Sequence, residues 1–208
     1  MVSLSVQSKL TLKYFSWGDI IGQNKNGSGS YSFSQANWYA GICGAGYILR
    51  EDIPQGNVAY DAARTNIGSP WKMPTKDQFQ ELIDGTNYTW TSINSVNGGK
   101  LTSKKNSDMY IFLPAGGYWS NMGLYDVGTN GYYWTTKYDH SPWSWYINCN
   151  SSHIYSSNQG TWQGFFVRAI SISTLSYLHT SIFPSLSLSH TLSCIPHSTA
   201  ILHHPCCP

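Results

Sequence analysis

The chain reads as an α+β domain spanning about residues 14–170, with an uncharged tail behind it. Three observations predict this. Thr75 to Ile83 carries the signature of a capped amphipathic helix, short aromatic segments separated by polar stretches follow it, and the composition breaks sharply after Arg168. At 208 residues the chain can bury one good core and still carry an extension.

The elements follow in order. Residues 1–13 form a short strand-like approach, and Lys13-Tyr14-Phe15-Ser16-Trp17-Gly18-Asp19 is aromatic and strand-like. Gly22 to Ser30 is rich in Gly, Ser and Asn and predicts a flexible loop. Asn57 is placed to cap a first helix with Val58, Ala59, Ala62 and Ala63 as its small-residue stripe, stopped by Gly68-Ser69-Pro70. Pro74 lacks an N–H and disfavours helix at Met73, so Trp71 to Met73 is expected to be extended and to turn Trp71 inward. Thr75 and Gln78 make a capping box, and Phe79, Leu82 and Ile83 fall on one face before Asp84-Gly85 ends the second helix. Tyr88 to Ile93 has strand composition, and the Asn97-Gly98 pair predicts a hairpin turn. Met109 to Leu113, Tyr132-Tyr133-Trp134, Trp145-Tyr146-Ile147 and Gly164 to Arg168 then read as successive strands of an antiparallel sheet.

Composition excludes several classes of function. Twelve Lys and Arg against ten Asp and Glu leave a net charge near +2, too little to draw nucleic acid or an anionic membrane. Charged residues make up only 11% while Trp, Tyr, Gly, Ser and Asn abound, the mixture of extracellular binding surfaces. No apolar run approaches a membrane span, and Met1 to Val6 lacks the basic and apolar pattern of an export signal. The five cysteines, Cys43, Cys149, Cys194, Cys206 and Cys207, give no legible disulfide framework; Cys43 and Cys149 are either partners or two separate buried thiols. Residues 171–208 contain no charged side chain and hold five of the seven histidines. Metal binding by this tail is one reading; an unstructured, unselected extension interrupted by Pro184, Pro196 and Pro205 is the other and the favoured one.

The chemistry of catalysis finds little purchase. His140 and His153 are the only histidines before the tail, and neither stands with a nucleophile elbow or a carboxylate pair. No enzyme activity and no cofactor are expected. Asp126 and Asp139 stand apart, so no calcium loop is written here, and Asp139 beside His140 reads as a solvated loop tip. What remains is a polar and aromatic stretch read as loops between short strands. Its candidate ligand-binding residues begin with Tyr138, Asp139, His140, Trp143, Asn148 and Asn150. Ser152, His153, Tyr155, Asn158 and Trp162 complete them. Tyr and Trp supply contact area at small rotamer cost, and Asn and Ser supply adaptable hydrogen bonds.

Several of these segments, in order, carry a resemblance. Tyr14-Phe15-Ser16-Trp17-Gly18-Asp19, Trp71-Lys72-Met73-Pro74-Thr75 and Val96-Asn97-Gly98 with Thr102-Ser103-Lys104 form its first half. Ile111-Phe112-Leu113-Pro114-Ala115-Gly116-Gly117-Tyr118, Tyr132-Tyr133-Trp134-Thr135-Thr136 and Gly164-Phe165-Phe166-Val167-Arg168 form its second. Together they resemble the Fibrobacter succinogenes major paralogous domain family, over about residues 14–170. The resemblance implies a C-type-lectin-like fold related to formylglycine-generating enzymes, with two helices packed on antiparallel sheets and long polar and aromatic loops. It implies a cell-surface, extracellular or virion setting among gut Bacteroidota and their phages. The family usually carries a further strand and a signal or lipoprotein anchor upstream of its Tyr-Phe-x-Trp-Gly motif, and here the sequence departs from it, with only a short Met1 to Leu12 stretch in that place. The implied role is non-catalytic binding or adhesion to a glycan or surface protein of host or bacterium. A structural module of a phage tail or cell-surface assembly is the alternative, and a copper oxidase of the formylglycine-generating type is a third reading. The Asn, Tyr, Ser, His and Asp content of residues 138–162 also suits diversification by a retroelement, which a template repeat and reverse transcriptase beside the gene would reveal.

Overall fold

The computed structural model of the chain describes residues 13–24, 33, 48–120 and 123–171. Within them the protein is α+β and mostly antiparallel sheet. Strand β1 (Lys13–Tyr14) pairs with β2 (Gln23–Asn24), so the glycine-rich loop expected from Gly22 begins with a strand instead; residues 25–30 of that loop lie outside the described residues. Helix α1 (Ala62–Ile67) and helix α2 (Lys76–Asp84) precede a three-stranded sheet of β3 (Thr86–Ile93), β4 (Val96–Ser103) and β5 (Tyr110–Pro114). A small ribbon of β6 (Tyr118–Ser120) and β7 (Gly123–Tyr125) leads to the second three-stranded sheet. That sheet is a meander of β8 (Asn130–His140), β9 (Trp143–Asn150) and β10 (Ile154–Gly160).

Local signals explain α2 fully. The Thr75 hydroxyl accepts from Gln78 N at 3.1 Å and the Gln78 side chain accepts from Thr75 N at 2.9 Å, closing the capping box. Phe79 is buried, Leu82 and Ile83 pack beside it, and Gly85 caps the end. The first helix differs from expectation. Asp61, not Asn57, is its N-cap, and Val58 and Ala59 are exposed in the turn before it. Asn57 does cap that turn, accepting from Ala59 N at 2.8 Å. The fully buried Asp61 carboxylate accepts from the N–H groups of Gly56, Arg64 and Met73, so one side chain ties a loop, a helix start and the extended Met73 together. Met73 is the residue driven inward, while Trp71 is half-buried at the edge of the core.

The hairpin turn also moves. Asn94 and Ser95 hold it with φ of 50° and 64°, the left-handed pair that a two-residue turn needs, and Asn97-Gly98 lies inside β4. Gly98 is there for space. A side chain on it would run into the Leu113 carbonyl and the Phe112 ring, 2.7 Å away.

The core lies on both sides of the β8–β10 sheet, as period-two alternation demands. Trp134 and Tyr146 point into one cluster with Phe15, Trp17, Met73 and Phe165. Tyr133, Ile147 and Cys149 point into the other with Phe79, Leu101, Leu113 and Phe166. Two buried indoles are satisfied across the fold, Trp17 Nε1 donating to Thr135 O at 3.0 Å and Trp134 Nε1 to Phe15 O at 2.8 Å. Gly164 to Arg168 is not a further antiparallel strand. It touches β8 through a parallel bridge at Tyr133 and Phe166, and meets Phe15 and Trp119 through antiparallel bridges. Ile170 bridges to Lys72, and residues 172–208, including the histidine-rich tail, lie outside the described residues, as does Cys43.

Candidate functional site

Residues 138–162, expected as loops between short strands, are mostly the β8–β10 meander itself. This correction decides where the candidate residues can meet. From Trp143 to Asn150 the strand β9 runs about 23 Å at ~3.3 Å per residue, so its two ends cannot share one small ligand. The faces differ too. Tyr155 pairs with Asn148, on the side of Tyr146, whereas Trp143 is in phase with Trp145 and Ile147 on the other side.

One end is the turn between β8 and β9. His140 pairs across it with Trp143, and their rings lie 6.3 Å apart at 18°, close to parallel. Asp139 is a strand residue of β8, not a solvated loop tip. Its Oδ2 lies 2.7 Å from His140 Nδ1 and accepts from Asn158 Nδ2 at 2.7 Å. Burial works against the charge of Asp139, yet hydrogen bonds from Asn158, His140 and Trp145 outweigh it and hold the carboxyl below its ordinary value. The carboxylate is therefore ionised at neutral pH. Next to this network, Lys76 at the start of α2 sits 3.3 Å from the centre of the Trp145 ring.

The far end is the turn between β9 and β10. Asn150 Oδ1 accepts from the backbone N–H of Ser152 at 2.9 Å and of His153 at 3.1 Å, which spends the side chain on making the turn. His153 and Tyr155 stack at 4.7 Å and both are exposed. Ser152 is exposed beside them.

Three candidates are structural. Asn148 is buried and its Oδ1 accepts from Asn130 at 3.3 Å and Asn150 at 3.2 Å. Tyr138 packs on the core with its ring 5.9 Å from Trp17. Trp162 packs on the second cluster and fills the space that a side chain at Gly160 would need. Of the eleven expected residues, Asp139, His140, Trp143 and Asn158 come together at the β8–β9 turn, where Asp139 bonds to the His140 and Asn158 side chains, and Ser152, His153 and Tyr155 form a separate exposed group at the far turn.

Sequence reading missed Trp145 and Lys76 as members of this end. Trp145 stands two residues from Trp143, and the period of a strand puts both on one face. Asp126, once weighed for calcium, instead accepts from the Tyr132 hydroxyl at 2.6 Å, and no cluster of three or more His, Cys, Asp or Glu forms among the described residues. Burial pushes the Cys149 thiol up to about 11, which makes it a protonated core group.

Compared with family models, curated proteins and solved structures, the chain matches none. No helix among the described residues is long and apolar enough to cross a membrane.

Proposed function

We propose that the protein is a non-catalytic glycan-binding domain of C-type-lectin-like fold, with its site at the β8–β9 turn. The family resemblance supports the fold reading and the surface-exposed setting on a cell or virion. One observation carries the site: the hydrogen-bonded Asp139 and Asn158 side chains stand beside the near-parallel rings of His140 and Trp143. A sugar presents hydroxyl pairs that donate and accept in one plane, and C–H faces that lie on aromatic rings. Asp139 retains lone pairs for a hydroxyl donor, Asn158 offers an amide fixed by its bond to the carboxylate, and Trp143 supplies the flat surface. Holding these groups in place before the ligand arrives reduces the ordering cost of binding.

The test is a glycan array read with Trp143→Ala and Tyr155→Ala. Trp143→Ala is expected to weaken binding by about tenfold or more, the scale of losing one buried aromatic contact. Tyr155→Ala, on the other face, should bind like the unaltered protein. Equal binding by Trp143→Ala would remove the site. A packing role in a tail or surface assembly is the second reading, and the outer edge of β3, which has no backbone partner among the described residues, favours it.

A further inference from the structure

We propose that β3 is a self-association edge, pairing antiparallel with β3 of a second copy of this chain about a twofold axis at Trp90. The proposal does not depend on the glycan reading.

It comes from following the backbone hydrogen bonds at the outer strand edges. The outer edge of β8 is sealed: Trp134 N donates to Phe166 O, Phe166 N to Tyr132 O, Thr136 N to Pro74 O and Ile53 N to Thr136 O, all at 2.8–2.9 Å. Strand β5 is short and ends on Pro114, which has no N–H and whose carbonyl accepts from the Tyr133 hydroxyl at 2.6 Å. Strand β10 is closed only at its end, where the Gly160 N–H is taken by the Gln159 side chain at 3.1 Å, and it is one residue shorter than β3. Strand β3, longer than β5 and β10, has no such cover among the described residues. Ala115 N donates to Asn97 O, so Asn97 bonds towards β5, and the alternate residues of β4 bond towards β3. With the register Ile93 to Val96, the inward partners on β3 are Asn87, Thr89, Thr91 and Ile93. Thr86, Tyr88, Trp90 and Ser92 thus turn their N–H and C=O groups outward, and no backbone partner for them exists among the described residues.

Edge strands are commonly blunted by a charge, a proline or a bulge. Thr-Asn-Tyr-Thr-Trp-Thr-Ser-Ile contains none of these, and its register with β4 is unbroken over all eight residues. The lack of charge also selects the occupant. A charged peptide finds no counter-charge on the strand, whereas a second β3 meets no repulsion. An antiparallel pair centred on Trp90 sets Trp90 opposite its copy as a hydrogen-bonded pair, with Tyr88 opposite Ser92 and Thr89 opposite Thr91. The N–H groups of Tyr88, Trp90 and Ser92 then each find a C=O, and the opposing residues are aromatic or hydroxyl-bearing, combinations that stabilise cross-strand contact. A twofold contact of this kind closes on itself and gives a dimer.

The register makes the test specific. Sedimentation across micromolar to millimolar concentration should show a monomer–dimer equilibrium. The double variant Thr89→Lys/Thr91→Lys places lysine opposite lysine twice, and should weaken dimerisation by about tenfold or more. Thr89→Glu/Thr91→Glu should do the same, and mixing the two variants should restore a dimer containing one of each. Thermal unfolding of each variant checks that it is folded. Amide exchange at Tyr88, Trp90 and Ser92 should slow as the unaltered protein is concentrated. A monomer at every concentration, a lysine variant that dimerises as well as the unaltered chain, or a mixture that fails to pair would each overturn the proposal. Exchange protection at these amides independent of concentration would overturn it as well, by placing another segment of the same chain on the edge.

Discussion

At the turn between β8 and β9 the side chains bond to one another, and at the turn between β9 and β10 they bond to the backbone. Asp139 gathers His140 and Asn158 around one carboxylate, leaving rings and polar groups facing outward in fixed positions. Asn150 uses its amide oxygen on the N–H groups of Ser152 and His153, and its amide nitrogen on Asn148. The same residue types, separated by one strand, thus do different work. A polar aromatic composition marks a surface, but only side chains not already committed to turns or core can serve a ligand. On the proposed reading, binding falls to the first turn and stability to the second.

The largest effect that would sharpen this contrast is at Asn148. It is buried beneath the far turn, and Asn148→Ala removes the acceptor of both Asn130 and Asn150 while opening a small void. The expected loss is about 2 kcal/mol of unfolding free energy, read by urea denaturation. Glycan binding, measured well below the melting temperature, should be unchanged. A loss of binding that parallels the loss of stability would mean that the two ends act as one unit.

Next in size is Asp139. Asp139→Ala deletes the bonds to His140 and Asn158 and should cost about 1 kcal/mol, since its side chain is partly solvated, together with the binding activity of the first turn. Acid reports on the same group. Its folded carboxyl titrates below the ordinary 3.8, so the stabilisation it adds is complete above 3.8 and fades as the pH falls through the lowered value. The Asn158 side-chain amide resonances should therefore hold their positions down to about pH 4 and shift only below it. Movement of those resonances at higher pH would show that the carboxylate is not the centre of this network.

How far the sequence revealed this contrast depended on how local each signal was. The capping box of Thr75 and Gln78 is complete within four residues, and α2 forms where it is expected. Asn97-Gly98 carried an equally local turn signal, but the glycines there answer a long-range demand, room for Phe112 and the Leu113 carbonyl on β5 and for the Tyr88 ring on β3, and the turn falls on Asn94-Ser95. Strand β10 was invisible for a different reason. Ile-Tyr-Ser-Ser-Asn-Gln-Gly has no apolar alternation, because Tyr155 is exposed and only Ile154 joins the core, so the strand exists by hydrogen bonding to β9. Asp139 looked like a loop residue since its partner Asn158 lies nineteen residues away on that unseen strand. Four members of the site were named from composition alone. Their grouping, and the separation of Tyr155 from Trp143, needed the register of β9 with β10.

The smallest effect is expected at the stacked pair His153 and Tyr155. Their rings meet at 4.7 Å, but both residues are exposed, and neither side chain makes a hydrogen bond that holds the other in place. An exposed aromatic contact outside the core gains little, because water takes up the freed surface at small cost. His153→Ala and Tyr155→Ala should each change unfolding free energy by no more than about 0.5 kcal/mol, and the double variant should equal their sum within error. Thermal unfolding monitored alongside glycan binding checks both. Coupling between the two substitutions larger than about 1 kcal/mol, or a fall in binding from either one, would make the far turn an organised site and erase the distinction between the ends.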